Sequence, residues 1–442
     1  MTTPSYREIW KIAGPIMLSL LAQNIVGVTD TAFLGRVGEV ELGASAIGGV
    51  FYMILFMVGF GFTTGVQILV ARRYGQKNYT AIGRIFDNSF YFIGLTSLLI
   101  TAAVFFFGSS FLRLVLKSDD VFQASSIFLK YRVLGLFFIS CTLLFRSFYT
   151  GISFTKYLSI SAAIMAVINI ILDYVLIFGH FGFPKMGIMG AGIASSVAEV
   201  FSLLFFIWVT RENQVLKRYQ LFKLVKPDFL IVKKTLSISI FVMMQFILSI
   251  GSWFLFFMMV EKMGERSLAV SNIIRSIYIF LMIPGWALGS VTSTLVSSSL
   301  GEGKPENVMP IILKIVKFSF LSIITLVATV LFFPRVFISV YTNNPVLVEA
   351  TIPSYFIIMG ALSIFSVMSI FFSGVLGTAN TKTSFVIEAI TLLAYLGYTW
   401  LIAVHLKLKI EWVWMAEYVY FILIGLMSLW YLKQGNWREK KI

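Results

Sequence analysis

Two acidic side chains of this sequence stand inside long apolar runs, where a charge is costly. The run INIILDYVLIFGHFGF, residues 168–183, holds Asn169 and Asp173 four residues apart, so both project from one face of a helix. A second run, LLAQNIVGVTDTAFLG, holds Asp30. A carboxylate costs ~2.5–3.5 kcal/mol or more at the centre of a membrane helix, and such acids commonly mark ion or proton paths. We therefore predict that the two acids belong to an ion or proton path.

Other polar groups accompany these three in the apolar runs. Gln23 and Asn24 precede Asp30 by about two turns, and Gln23 shares its helix face. Glu199 lies deep in a third run, GAGIASSVAEV, and is a candidate second proton carrier. We interpret Gln23, Asn24 and Glu199 as an auxiliary polar cavity near the acids. Hydrogen bonding between neighbouring helices is the alternative role for such side chains.

The composition places these residues in an integral membrane protein. Only 12% of the residues are charged, 58% are hydrophobic, and the mean hydropathy is +0.90, whereas soluble domains have about 25% charged residues. The apolar runs are each long enough to cross a hydrocarbon core of ~30 Å, and their lack of alternation predicts helices, not barrel strands. We predict twelve spans, at 9–35, 44–71, 86–107, 127–150, 157–179, 187–209, 235–260, 268–296, 311–333, 352–376, 383–404 and 411–432.

The surplus of basic residues predicts the membrane topology. Lys and Arg outnumber Asp and Glu by 35 to 20, which gives a net charge of +15. With the N-terminus inside, the cytoplasmic segments hold roughly twice as many Lys and Arg as the outer loops, as the positive-inside rule requires. We therefore predict a multi-pass protein of the bacterial cytoplasmic (inner) membrane with both termini in the cytoplasm. The basic segment 211–234 is expected to contact anionic membrane lipids, and no nucleic acid partner is predicted.

The chain contains an internal duplication with an offset of 226 residues. The pattern G-E-x-x-L-x-x-S at 38–45 recurs at 264–271, and GISFTK at 151–156 is matched by GTANTK at 377–382. Six spans in each half give both halves the same orientation, an arrangement known among secondary transporters. We therefore predict an all-α integral membrane fold with twelve transmembrane helices in two six-helix bundles, related by a pseudo-two-fold axis along the membrane normal. The predicted domains are an N-terminal six-helix lobe with the cation site (1–210), a basic cytoplasmic linker (211–234) and a C-terminal six-helix lobe (235–442).

The duplication confines the predicted cation site to the first half. Adding 226 to the positions of Asp30 and Asp173 gives Phe256 and Thr399. A structural role needed by both bundles would tend to appear in both. The two acids are therefore assigned to cation coupling in the N-terminal lobe.

Three further charged residues and two prolines are candidates for conformational roles. Arg146 is close enough to the inner end of its span to snorkel to the interface, and Arg146, Arg275 and Glu388 are each candidates to line a central cleft. Pro15 and Pro284 each remove a helical hydrogen bond and are predicted to permit a bend. No P-loop, G-x-S-x-G or H-E-x-x-H motif occurs. No catalytic residue, enzyme activity or cofactor is therefore predicted.

These features resemble the multidrug and toxic compound extrusion (MATE) family of transporters. The resemblance rests on the six-plus-six repeat, on Pro15 and VTDTAFLG in the first span, and on NIILD in the fifth, and it covers essentially the whole chain. Asp30 with Asn169-x-x-x-Asp173, in the first half only, resembles the DinF-like branch. That resemblance implies that these residues and a hydroxyl on span six, which falls on Ser195, form the H⁺ or Na⁺ coupling site. The NorM-like branch has a carboxylate in span seven, where FVMMQFILSIGSW has none.

The predicted function is secondary active antiport. The protein is expected to export amphipathic organic compounds, drugs or metabolites, in exchange for H⁺ or Na⁺ by rocking of its two lobes around a central cleft. Its predicted partners are the small-molecule substrate and membrane lipids, and it is expected to work as a monomer. A flippase of a lipid-linked precursor in the same superfamily is the alternative, because it shares the topology. That activity would need a strongly cationic cleft, for which Arg146 and Arg275 are the candidates.

Overall fold

The computed structural model describes residues 3–223 and 226–438, and its long helices match the predicted spans in number and order. Within these two ranges, twelve helices are long and apolar enough to cross a membrane, and no strand occurs. The predicted all-α fold with twelve membrane helices is confirmed. We label the helices α1 to α12: Tyr6–Val37, Glu39–Gly75, Tyr79–Val115, Asp119–Gly151, Lys156–Phe178, Ile188–Glu212, Phe229–Glu261, Glu265–Gly301, Pro305–Leu331, Pro345–Gly377, Thr381–His405 and Ile410–Gln434.

The internal duplication is visible in the helix boundaries. Helices α2 and α8 are both 37 residues long, and α4 and α10 are both 33 residues long. In each of these two pairs the first and the last residue are displaced by 226 positions. The repeat that the loop motifs predict therefore extends to whole helices.

The turns between helices repeat the same unusual backbone conformation. A positive φ is uncommon for residues other than glycine, yet three turns of the first half have it, and so do their counterparts 226 residues later. The matched positions are Lys77 (φ 56°) and Gly303 (74°), Ser153 (58°) and Ala379 (63°), and Phe181 (57°) and Lys407 (48°). The duplicated turns thus keep their conformation where the side chain has changed completely.

A close helix contact is also present twice. A Cβ atom added at Gly151, the last residue of α4, would lie 2.7 Å from Val70 Cγ1 on α2. A Cβ added at Gly377, at the end of α10, would lie 2.7 Å from Val296 Cβ on α8. Small residues let membrane helices approach closely, since packing drives their association. Glycine is therefore required at both crossings by the distance between the helices.

We expect Gly377→Ala and Gly151→Ala to destabilise the protein by similar amounts, about 1–3 kcal/mol each, as overpacking does. Unfolding of the purified protein in detergent, followed by tryptophan fluorescence, measures this. Gly397→Ala is the matched control, because a Cβ at Gly397 meets nothing within 4 Å and a helical Gly→Ala change by itself stabilises by ~1 kcal/mol. An alanine variant at Gly377 that unfolds no earlier than the Gly397 variant would contradict the steric argument.

The described chain divides into two compact units. One unit is Gly14–Met243, and the other comprises residues 3–13 and 244–438. The domain limits predicted from the sequence, 1–210, 211–234 and 235–442, stay a prediction. Residues 1, 2, 224, 225 and 439–442 of those ranges lie outside the described residues.

The basic segment after α6 packs against its own unit. Gln214–Tyr219 forms a 3₁₀ helix, and the buried ring of Tyr219 lies 5.4 Å from that of Phe148. The backbone N–H of Phe222 donates to the Asp87 carboxylate on α3 at 3.1 Å. Burial raises the pKa of the Tyr219 hydroxyl to about 12. This part of the segment 211–234 is therefore a packed element and not a loose connection.

Departures from regular helix geometry occur away from the two prolines singled out in the sequence. Helices α1 and α8 run continuously through Pro15 and Pro284, so a bend at either position stays a prediction. A 3₁₀ turn at Val133–Gly135 interrupts α4, and a π-helical turn at Leu401–His405 ends α11. Such irregular turns within long helices frequently lie at functional sites.

Candidate coupling site

Three helices of the unit Gly14–Met243 bring the predicted coupling residues together. Helix α1 carries Asp30, α5 carries Asn169 and Asp173 one turn apart, and α6 carries Ser195. The Asn169 amide donates to the Ser195 hydroxyl at 3.3 Å and so links α5 to α6. Asp173 is 0% exposed, Asn169 1% and Ser195 8%. We call these four residues the acid cluster.

The side chains of Asp30 and Asp173 interact directly with each other. An ionised carboxylate only accepts hydrogen bonds, so a bond between two carboxyl groups requires one of them to hold a proton. Without that proton, both oxygens of Asp173 and Oδ1 of Asp30 lack a hydrogen-bond partner among the described residues. Two like charges this close in a site of low dielectric repel strongly. The pair therefore needs a shared proton or a bound cation.

Glu199 has two partners, Arg132 and Tyr52, that the sequence analysis did not select. The Arg132 Nη2 atom lies 2.7 Å from Glu199 Oε1, and the Tyr52 hydroxyl donates to the same oxygen at 3.1 Å. The Arg132 guanidinium also lies over the Tyr52 ring, with Cζ 3.7 Å from the ring centroid. Glu199 is only 3% exposed, so this is a desolvated ion pair held by a stacked arginine.

The Arg132–Glu199 pair is a neighbour of the acid cluster. Arg132 interacts electrostatically with both Asp30 and Asp173, and Glu199 interacts with Asp30. The Nη1 atom of Arg132 has no hydrogen-bond partner among the described residues. This group therefore retains a free donor beside the carboxyl groups of Asp30 and Asp173.

The one local signal for this pair is a glycine. Gly135 lies in the 3₁₀ turn of α4, and a Cβ atom there would collide with the Glu199 carboxylate and lie 2.9 Å from Arg132 Nη1. A glycine inside a helical pattern indicates close packing of this kind. The identity of the packed groups could not be read from the sequence, because an arginine near a span end is usually interfacial.

The charges in this region do not balance. Three carboxyl groups, those of the half-buried Asp30 and of the buried Asp173 and Glu199, share one guanidinium, that of Arg132. Among the described residues, no group of three or more His, Cys, Asp and Glu side chains is arranged to hold a metal ion. The Oδ1 atom of Asn169 has no hydrogen-bond partner within the described ranges.

The two auxiliary amides of α1 bond to their own helix. Gln23 donates to the Ser19 carbonyl at 3.1 Å, and Asn24 donates to the Leu20 carbonyl at 2.9 Å. Both donors are thus satisfied one turn back along α1. Their predicted role in an auxiliary polar cavity stays a prediction.

The three cleft candidates have different surroundings. The Arg275 guanidinium lies 5.0 Å from the centroid of the Phe257 ring. Glu388 is 2% exposed and accepts hydrogen bonds from the Ser249 and Tyr420 hydroxyls, both at 2.8 Å. Arg146 is partly buried on α4. Lining of a cleft by these residues stays a prediction.

Comparison with known proteins agrees with this architecture. The MatE family profile matches residues 15–175 and 242–401, once in each half of the chain. The chain is 24% identical over 442 residues to a probable multidrug resistance protein NorM of Thermotoga maritima, covering 99% of this chain and 94% of that protein. It is 27% identical over 301 residues to a probable NorM of Agrobacterium fabrum, but there the match spans 67% of this chain and 63% of the relative.

Solved structures of low sequence identity share the fold. A MOP superfamily transporter from Pyrococcus furiosus superposes with a TM-score of 0.89 at 17% identity, covering 98% of this chain and 96% of that one. The eukaryotic MATE transporter AtDTX14 superposes with a TM-score of 0.86 at 18% identity, with the same coverage. These similarities establish the two-lobe fold, and the profile covers well over half of the sequence. The chain therefore belongs to the MatE family of multidrug efflux transporters.

Proposed function

We propose that this transporter is a secondary active antiporter of the DinF-like branch, which exports an amphipathic organic compound in exchange for H⁺ or Na⁺. The observation that carries the proposal is the contact between Asp30 and Asp173 in a buried site with a deficit of positive charge. A buried pair of this kind binds a cation in one state of the cycle and releases it in another. Such exchange drives transport only if the two states bind the cation with different affinities.

Proton binding is supported by the hydrogen bonding of the aspartate pair. One proton placed between Asp30 and Asp173 gives the pair its missing donor and leaves it with a single negative charge, which interacts favourably with the nearby Arg132–Glu199 ion pair through the Arg132 guanidinium. Loss of that proton leaves two ionised carboxylates, those of Asp30 and Asp173, next to each other. The proposed coupling step is therefore the arrival and departure of this proton, with Arg132 as the fixed positive charge.

Sodium binding is supported by the oxygen atoms of the acid cluster. Carboxylate, amide and hydroxyl oxygens are the ligands that hard cations prefer, and the cluster contains all three types. The proposed ligands are Asp30, Asp173, Asn169 and Ser195. Na⁺ and H⁺ would then compete, because both require the same aspartate oxygens.

The charge pattern supports a proposal for the cellular setting. We infer that the protein lies in the bacterial cytoplasmic membrane with both termini in the cytoplasm and works as a monomer, by rocking of its two lobes. The flippase of a lipid-linked precursor would need an extended cationic surface. The Arg132 guanidinium is paired with Glu199 and that of Arg275 is stacked on Phe257, so neither favours that alternative.

Purified protein in liposomes tests the proposal with ethidium, an amphipathic organic cation, as the transported probe. We expect ethidium to move against its gradient when either a proton gradient without Na⁺ or a Na⁺ gradient at equal pH is imposed, and the gradient that works identifies the coupling ion. Protein-free liposomes give the background. Failure to exceed this background under both gradients would contradict a cation-coupled exporter of organic cations.

A further inference from the structure

The second half of the chain contains two buried glutamates that the coupling mechanism does not use. Glu388 on α11 is 2% exposed and Glu417 on α12 is 3% exposed. Both belong to the unit that contains residues 244–438. Neither forms an ion pair within the described residues; their partners are hydroxyl groups. An unpaired carboxylate at membrane depth is costly and usually functional.

Each glutamate is bonded by two hydroxyls. Tyr278 donates to Glu417 Oε2 at 2.7 Å, and Tyr395 donates to Glu417 Oε1 at 3.3 Å. Ser249 and Tyr420 both donate to Glu388 Oε1, at 2.8 Å.

The remaining carboxylate oxygen, Glu388 Oε2, is buried and has no hydrogen-bond partner in the described part of the chain. The four hydroxyls thus donate to three of the four carboxylate oxygens, and Glu388 Oε2 accepts no hydrogen bond from them. An open, buried carboxylate oxygen is the atom to which a proton adds.

The two glutamates are joined through tyrosines. Glu417 and Tyr420 lie three residues apart on α12, and Glu388 and Tyr395 lie two turns apart on α11, a rise of ~10 Å. The Tyr395 and Tyr420 rings meet edge to face, with 6.0 Å between their centroids. Tyr395 donates to Glu417, and Tyr420 donates to Glu388. The two glutamates are therefore linked through one pair of packed tyrosine rings.

The first half contains the same contact with a positive charge added. Tyr52 and Tyr278 are equivalent under the 226-residue offset, and each donates to a glutamate of the last helix of its half, Glu199 or Glu417. Arg132 compensates Glu199. The equivalent position in the second half is Ile358, which is apolar.

Within the described residues, no ion pair takes the place of the one that Arg132 forms. The Arg275 guanidinium of α8 lies over the Phe257 ring. In the described part of the chain, the titratable side chains that contact Glu388 and Glu417 are Tyr278, Tyr395 and Tyr420. Among these residues, the buried acids of the second half thus have no ion-pair partner.

We propose that Glu388 and Glu417 form a second proton-binding site, which takes up and releases protons independently of Asp30 and Asp173. The ligand is H⁺, because a single proton neutralises a glutamate without any rearrangement of its hydroxyl donors. A metal cation would require those hydroxyls to turn their lone pairs toward it.

Infrared spectroscopy of the purified, substrate-free protein tests this without any transport assay. Protonated carboxyl groups absorb apart from carboxylates, and ¹³C in the glutamate side-chain carboxyl shifts the glutamate bands but not those of aspartate. We expect the difference spectrum between acidic and alkaline buffers to contain a buried, ¹³C-sensitive band that persists in the Asp30→Asn/Asp173→Asn variant. Glu388→Gln and Glu417→Gln should each remove part of it, and Glu349→Gln, whose side chain is 57% exposed, should not.

Tyr278→Phe and Tyr395→Phe provide a second readout. Each removes one hydroxyl from Glu417 and should shift the frequency of the band without removing it, an effect that loss of packing alone would not produce. A band that is unchanged in both glutamine variants overturns the proposal, as does a band that is lost with the two aspartates. A variant is judged to be folded if it elutes as a single species from size-exclusion chromatography. If a glutamine variant does not, the tyrosine variants provide the test of the proposal. Failure of ethidium transport would leave this result intact, so the two proposals fail separately.

Discussion

Asp173→Asn and Asp30→Asn are each expected to abolish gradient-driven export of ethidium, to the level of protein-free liposomes, while the protein remains folded. Asparagine occupies the same space but cannot release a proton or supply a charge to Na⁺. In each variant, positions 30 and 173 together retain only one carboxyl group. The site can therefore no longer alternate between a state with a shared proton and a state with two charges. Removal of one of two buried like charges relieves repulsion, and we therefore expect no loss of stability.

The measurement is ethidium movement together with counterflow of the coupling ion, in liposomes that contain equal amounts of each variant. Asp120→Asn is the matched control, because Asp120 is exposed at the start of α4. Export by either Asn variant at the wild-type rate and with the wild-type dependence on the gradient would show that this aspartate is not a coupling residue. Loss of folding in both variants would instead point to a structural role for the contact.

Arg132→Met is expected to destabilise the protein by ~3–5 kcal/mol, because it leaves the Glu199 carboxylate buried without its partner. Methionine keeps much of the apolar stem of arginine, so the loss of stability measures the effect of removing the charge. The double variant Arg132→Met/Glu199→Gln removes both charges and should recover most of the stability.

The opposite single variant, Glu199→Gln, should be stable enough to assay and should reduce transport without abolishing it, because Arg132 then faces Asp30 and Asp173 alone.

Unfolding of the four proteins in detergent gives the coupling free energy from a double-mutant cycle. Arg113→Met is the control, since its salt bridge to Asp119 is exposed, with side chains 54% and 72% accessible, and such pairs contribute ~0–1 kcal/mol. A double variant no more stable than Arg132→Met would mean that the stacking of Arg132 on Tyr52, and not the ion pair, holds this site together.

Hydropathy alone determined the number, order and approximate limits of the membrane helices. This is a local property, because each span must satisfy its own backbone hydrogen bonds in lipid and must be about as long as the membrane is thick. The loop motifs likewise determined the repeat, down to turns such as Ser153 and Ala379 that share a positive φ. The acids were conspicuous for the same local reason, since an aspartate in an apolar run is costly wherever that run packs.

Tertiary structure decided which of these groups meet. The sequence showed that Asp30 and Asp173 both stand inside apolar runs, but their contact depends on the rotation of α1 and α5 about their axes, which hydropathy does not specify. Arg132 and Tyr52 were missed because their partner, Glu199, lies on a helix far along the chain. The hydroxyl partners of Glu388 and Glu417 were missed for the same reason. Each partner is chosen by how the helices pack, and packing between membrane helices depends on shape complementarity over several chain segments at once.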